Sequence, residues 1–166
     1  MNNPKPTNIR WRVLFITLVL GYIAYVYRSN LSVIGKFLMD DTGISQIELG
    51  WLLSSFIWGY TLFQFPGGLI SEKIGPKTTL VLVTLGSSLI TIITGLIVMG
   101  GFSIALMIPL LFIFRFLLGV FQGPLFPATG GGVIARWFPS GSWALPNGLN
   151  STALALGSAS TPPMIV

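Results

Sequence analysis

Apolar residues fill most of this chain in long runs, and short polar segments separate one run from the next. The runs lie at about 12–35, 46–70, 78–98, 104–135 and 144–166. A helix rising ~1.5 Å per residue needs about 17 to 25 apolar residues to cross a hydrocarbon layer of ~30 Å. The pattern therefore predicts an all-α polytopic membrane protein with four complete transmembrane helices and part of a fifth.

The polar segments place the breaks between these helices. The uncharged stretch 78–114 is too long for one crossing, and the glycine pair in 99–103 is its natural break. The segment 36–48 contains three of the four acidic residues and is predicted to be a loop. Ser45 and Glu48 end that loop in the spacing of a capping box, which starts the second helix.

Composition places the chain in a lipid bilayer and excludes several function classes. Only 8% of its residues are charged, whereas soluble domains carry about 25%. The chain has no Cys and no His, and its acids lie outside the predicted spans except Glu48, at the very start of the second, so it offers no metal site and no buried nucleophile and base pair. We therefore expect no enzyme activity, no cofactor and no metal. The basic residues are scattered and form no patch for nucleic acid.

The basic residues also predict the orientation. One membrane side receives six of them, Lys5, Arg10, Arg12, Lys73, Lys77 and Arg136, and the other side receives Lys36 alone. The positive-inside rule then makes 1–11 a cytoplasmic head and the chain a multi-pass protein of the cell membrane. A charged head before an apolar run is also how a signal peptide begins, but no small-residue cleavage site follows this one.

Two arginines lie inside the predicted spans, Arg28 in the first and Arg115 in the fourth. An arginine at the bilayer centre costs at least ~2.5 to 3.5 kcal/mol, so it is expected to face a cavity and to have a partner. No acid lies in the interior of a span. A carboxylate or phosphate ligand would supply the missing charge, and a guanidinium binds either in a bidentate manner.

Less specific explanations exist for the same residues. Arg28 can extend to the outer headgroups, and Arg115 can pair with helix-end carbonyls or with an acid elsewhere. On the helical face of Arg115, Gly119 is expected to leave room beside the guanidinium, and Gln122 can donate and accept hydrogen bonds. Tyr60 and Gln64 can bind a substrate or each other. The tyrosines at 22, 25 and 27 are typical of packing or of an interfacial belt.

The segment 68–77, GLISEKIGPK, has the form G-x-x-x-[DE]-[RK]-x-G-x-[RK]. Physically it is a tight reversal between two helix ends on the cytoplasmic side, where charged residues meet helix ends or lipid headgroups. Standing between a second and a third span, it resembles the signature loop of the major facilitator superfamily. The resemblance gives a conformational role to the motif residues, Gly68, Glu72, Lys73, Gly75 and Lys77.

Further residues narrow the resemblance to the anion:cation symporter branch, which includes sugar-acid transporters. They are Arg28-x-Asn30-Leu31-Ser32-Val33, Glu48-Leu49-Gly50-Trp51, Phe56-x-x-Gly59-Tyr60, Gln64-x-Pro66-Gly67-Gly68, Arg115 with Gly119, Trp137-Phe138-Pro139 and Asn147-Gly148-Leu149. The resemblance implies secondary active or facilitative transport of a small organic anion, such as a sugar acid, by alternating access. The implied substrate-binding residues are Arg28, Asn30, Tyr60, Gln64, Arg115 and Gln122.

The resemblance also implies that the chain is the N-terminal part of a carrier with two six-helix bundles. Its partners are then the organic anion, the lipid bilayer and the C-terminal bundle of the same protein. Tyr27 and Gln122 stand where this branch usually has acids that exchange protons, and Ala153 stands where sugar-acid members often have glutamine. The pattern therefore predicts an anion site better than it predicts proton coupling.

A short multi-pass membrane protein with a structural or subunit role, and no transport activity, is the alternative. The reading frame beyond Val166 discriminates between the two, because about seven further spans would support a carrier.

Overall fold

The computed structural model describes residues 8–165, and this part of the chain is helical and contains no strand. The all-α class is therefore confirmed. Most of the predicted head, including Lys5, and the final residue Val166 lie outside the described residues. The elements are α1 Ile9–Thr42, α2 Gln46–Ile74, α3 Pro76–Met99, α4 Ile104–Gln122, a π-helical segment Pro127–Ile134, α5 Ala135–Trp137, a 3-10 turn Ser140–Ser142 and α6 Ala144–Ile165.

The loop predicted at 36–48 is wrong for most of its length, because α1 continues to Thr42. Leu38, only 4% exposed, anchors this extension in the largest hydrophobic cluster of the bundle. Gly43 then ends the helix in the left-handed conformation, with φ 73°, and its N–H donates to the Met39 carbonyl. Only 43–45 connects the two helices.

The capping box at the start of α2 is confirmed. The Glu48 amide donates to Ser45 Oγ at 3.2 Å, and the Ser45 amide donates to the Glu48 carboxylate at 2.8 Å. Each side chain thus satisfies an amide that the helix itself leaves without a partner.

The tight reversal predicted at 68–77 is also present. α2 ends at Ile74, α3 begins at Pro76, and Gly75 alone links them with φ 84°. A positive φ of this size favours glycine, which explains that position of the motif. Glu72, Lys73 and Lys77 are exposed, and no side chain caps the start of α3.

Three helical stretches are long and apolar enough to cross a membrane: Ile9–Thr42, Pro76–Met99 and Ile104–Trp137. The break predicted at 99–103 separates the last two. The helices α2 and α6 lie outside this set, since aromatic, amide, glycine and proline residues lower their hydropathy. The count of four spans and part of a fifth therefore stays a prediction.

Glycines allow the helices to approach closely, with α2 packed against α4 and α1 against α6. A side chain at Gly59 would overlap the Phe116 carbonyl, and one at Gly119 would overlap the Phe56 carbonyl. Gly157 similarly faces the Tyr22 carbonyl across the contact between α6 and α1. The expectation that Gly119 leaves room beside Arg115 is thus wrong, because the backbone of α2 occupies that space.

We expect Gly59→Ala to destabilise the bundle by about 1 to 3 kcal/mol, because the methyl group forces α2 away from α4. Gly50→Ala is the matched control on the same helix, since nothing lies within 4 Å of a Cβ at Gly50. Thermal unfolding of the two variants in detergent measures the difference. Equal unfolding temperatures would rule out tight backbone packing at Gly59.

Candidate functional site

Arg28 lies on α1 with its guanidinium surrounded by aromatic rings. Its Cζ is 5.4 Å from the ring centre of Tyr25, 4.9 Å from that of Phe56 and 5.5 Å from that of Tyr60. Cation–π attraction of about 0.5 to 2 kcal/mol or more stabilises a charge held in this way. The guanidinium makes no hydrogen bond to any residue from 8 to 165. Its N–H groups therefore keep their capacity to bind an anion.

Arg115 on α4 is 2% exposed, and its guanidinium is hydrogen-bonded to α1. Nη2 donates to Asn30 Oδ1 at 2.5 Å, and Nη1 donates to the backbone carbonyl of Arg28 at 3.4 Å. The Nε atom is buried and has no partner within the described residues. Neutral oxygens in the middle of α1, rather than carbonyls at a helix end, thus compensate this charge.

Gln122 forms a second hydrogen-bonded contact between α4 and α1. It is 2% exposed, and its Nε2 donates to the Ala24 carbonyl at 3.0 Å. Tyr27, at the other position where the resemblance implies an acid, shares a hydrogen bond of 2.9 Å with Ser88 on α3. Both residues therefore bind neighbouring helices.

A cavity extends from Arg28 between α1, α2, α4 and α6. In this conformation the cavity is narrow, with an internal volume of about 20 Å³. Its lining residues with a polar group in the side chain are Tyr25, Arg28, Tyr60, Gln122, Thr129 and Asn150. We call this space the Arg28 cavity. A second opening also includes Arg28 and is lined by Ser29, Ser32, Phe56 and Arg115 among others.

The structure brings five of the six predicted substrate-binding residues together. Arg28, Tyr60 and Gln122 line the cavity, while Arg115 and Asn30 bind each other directly behind Arg28. The sixth, Gln64, lies apart and lines an exposed depression together with Gly68 and Glu72 of the loop motif. Tyr60 and Gln64 are not hydrogen-bonded to each other in the described chain. Tyr60 instead stacks on Phe56, with ring centres 6.0 Å apart.

Four residues of the site are not among the predicted substrate-binding residues: Tyr25, Phe56, Thr129 and Asn150. Tyr25 precedes Arg28 by three residues, so helical spacing placed both on one face. The sequence signal for Asn150 is a polar amide side chain directly before a run of small residues. Thr129 lies in the π-helical segment, where the usual periodicity fails, and π-helical turns are frequent at functional sites.

Comparison with known proteins agrees with this architecture. The sequence model of the Major Facilitator Superfamily matches residues 13–165. The chain belongs to this family of membrane transport proteins, which are not enzymes.

Three relatives of the chain are named as sugar-acid transporters. The probable galactarate/D-glucarate transporter GudP of Bacillus subtilis is 38% identical over 82% of this chain and 29% of the relative. The D-galactonate transporter of Escherichia coli O6:H1 is 31% identical over 100% of this chain and 36% of the relative. The hexuronate transporter of Bacillus subtilis is 34% identical over 92% of this chain and 34% of the relative. The chain thus spans about a third of the length of these relatives.

Proposed function

We propose that this chain forms a helical bundle of a secondary carrier for small hydroxylated carboxylates, in the anion:cation symporter branch. The observation that carries the proposal is the Arg28 guanidinium, which faces a cavity with its hydrogen-bonding edge unused. Galactarate, glucarate, galactonate and hexuronate, the compounds in the relatives' names, all carry a carboxylate. A guanidinium binds a carboxylate through two parallel hydrogen bonds.

The two arginines have different roles in this proposal. Arg28 contacts the carboxylate, and the aromatic rings around it hold its side chain in place. Arg115 fixes α1 through Asn30 and adds positive potential behind Arg28. Gln122 and Tyr60 lie on the same cavity wall and offer an amide and a hydroxyl to the substrate.

Transport by alternating access also requires the membrane arrangement expected from the sequence. In our proposal α2 and α6 cross the membrane together with the three apolar stretches, and the N-terminus is cytoplasmic. A second helical bundle closes the cavity from the opposite side, as in carriers that bind substrate at the interface of two repeats. The exposed depression at Gln64, Gly68 and Glu72 then belongs to the surface that meets the second bundle.

Uptake of radiolabelled D-galactonate tests this function. The protein is produced from its complete reading frame and reconstituted in proteoliposomes. We expect saturable uptake whose dependence on a pH gradient is weak or is carried by residues of the second bundle, because Tyr27 and Gln122 provide no carboxylate to exchange protons.

The two parts of this expectation can fail separately. The absence of saturable uptake for galactonate, glucarate and glucuronate would overturn the carrier and favour a structural role. Uptake that stops with the pH gradient, from a protein without an acid in any membrane span, contradicts weak coupling alone.

A further inference from the structure

Asn150 is the one residue of the Arg28 cavity wall with a buried amide oxygen that has no partner in the described chain. It lies on α6, and 3% of its surface is exposed. Neither its Oδ1 nor its Nδ2 is hydrogen-bonded to any residue from 8 to 165. An unsatisfied buried polar group costs about 1 to 3 kcal/mol, so it calls for a ligand or a specific reason.

Other polar side chains of α6 behave differently. Asn147 Nδ2 donates to the Trp143 carbonyl at 2.9 Å, and Thr152 Oγ1 donates to the Gly148 carbonyl at 2.9 Å. Both satisfy themselves on the preceding turn of their own helix. Asn150 does not, and it faces the cavity instead.

The opposite wall of the cavity packs closely on this part of α6. α1 presents Gly21, and a Cβ added there would lie 3.7 Å from Asn150 Oδ1 and 2.9 Å from Leu154 Cδ2. Tyr25 lies one turn further along α1, ~6 Å away, and its ring underlies the Arg28 guanidinium. Arg28 and Asn150 thus line the same cavity, and a ligand that binds Arg28 and widens this space would meet Asn150.

We propose that Asn150 is a specificity-determining residue that hydrogen-bonds a hydroxyl group of the substrate while Arg28 binds the carboxylate. This inference rests on the proposed transport function and deepens it, because it requires a hydroxylated carboxylate and not a simple fatty acid anion. A hydroxyl can donate to Oδ1 or accept from Nδ2, so either orientation of the amide serves. The chemistry fits a polyhydroxy acid with a hydroxyl a few carbons from its carboxylate.

Competition between two six-carbon anions tests the proposal in reconstituted protein from the complete reading frame. Uptake of labelled D-galactonate is inhibited by unlabelled D-galactonate or by hexanoate, which has no hydroxyl groups. We expect Asn150→Leu, of similar size, to reduce the preference for galactonate over hexanoate about tenfold, as the loss of one buried hydrogen bond implies. Asn147→Leu, one turn away, is the matched control and keeps the preference.

The competition experiment distinguishes the role of Asn150 from the transport function itself. An unchanged preference in Asn150→Leu overturns the role of Asn150 and leaves the carrier intact, whereas a wild-type protein without uptake overturns the carrier itself. Equal weakening of galactonate and hexanoate means a purely structural role and also overturns the inference. If Asn150→Leu does not fold, Asn150→Ser and Asn150→Ala replace it. Serine then retains more preference than alanine, and equal preferences contradict the proposal.

Discussion

Arg28→Gln abolishes carboxylate uptake while the bundle stays folded. Glutamine keeps a hydrogen-bonding end but removes the positive charge and the planar fork that binds a carboxylate. The Arg28 side chain holds no neighbouring helix by a hydrogen bond within the described chain, and aromatic rings surround it. The substitution therefore removes binding of the carboxylate and leaves the contacts between helices largely in place. Initial uptake rates of D-galactonate in proteoliposomes, with thermal unfolding in detergent, measure both effects.

Lys36→Gln is the control for charge removal on the same helix, because Lys36 is exposed near the end of α1. It should retain wild-type uptake. Arg28→Lys keeps the charge as a compact ammonium without the fork, and we expect it to retain a small part of the uptake. Wild-type uptake by Arg28→Gln would remove Arg28 from the site.

Arg115→Leu also abolishes uptake, but with a larger loss of stability than Arg28→Gln. The guanidinium joins α4 to Asn30 and to the Arg28 carbonyl, and its removal leaves these oxygens without their donor. A hydrogen bond to a charged group contributes about 1.5 to 3 kcal/mol, so the unfolding temperature should fall measurably. Unfolding and uptake are measured as for Arg28.

Comparison of the single variants Asn30→Leu and Arg115→Leu with the double variant separates the role of the hydrogen bond between these residues from the role of the Arg115 charge. Asn30→Leu alone leaves a buried guanidinium with one long hydrogen bond, and it should destabilise the protein more than the double variant does. Independent, additive effects of the two substitutions would contradict direct coupling between Asn30 and Arg115.

The sequence predicted the apolar helices and the charged centre, because both follow from local rules. Arg28 and Arg115 were recognised by the cost of a charge in lipid, and Ser45 with Glu48 by the spacing of a capping box. The prediction of a loop at 36–48 is wrong because the acidic residues near 40 do not end α1, whereas Leu38 packs in the core and extends the helix.

The remaining errors concern contacts between helices, which periodicity on one helix does not determine. Gly119 was expected beside Arg115, yet the backbone of α2 fills that space. Gln64 was grouped with Tyr60 by its spacing on α2, but it lies in a different depression. The aromatic surroundings of Arg28 combine α1 with α2, and the position of Asn150 depends on how α6 packs against Gly21. Such pairings require the folded bundle.

The central claim is that Arg28 recognises the substrate carboxylate, and direct binding of a charged and an uncharged ligand tests it. The affinities of D-galactonate and D-galactose are measured by calorimetry on wild-type and Arg28→Gln protein from the complete reading frame. The account predicts that wild type prefers galactonate about hundredfold, as a bidentate charge-assisted contact implies, and that Arg28→Gln loses this preference. A preference for galactonate that survives in Arg28→Gln would contradict the account.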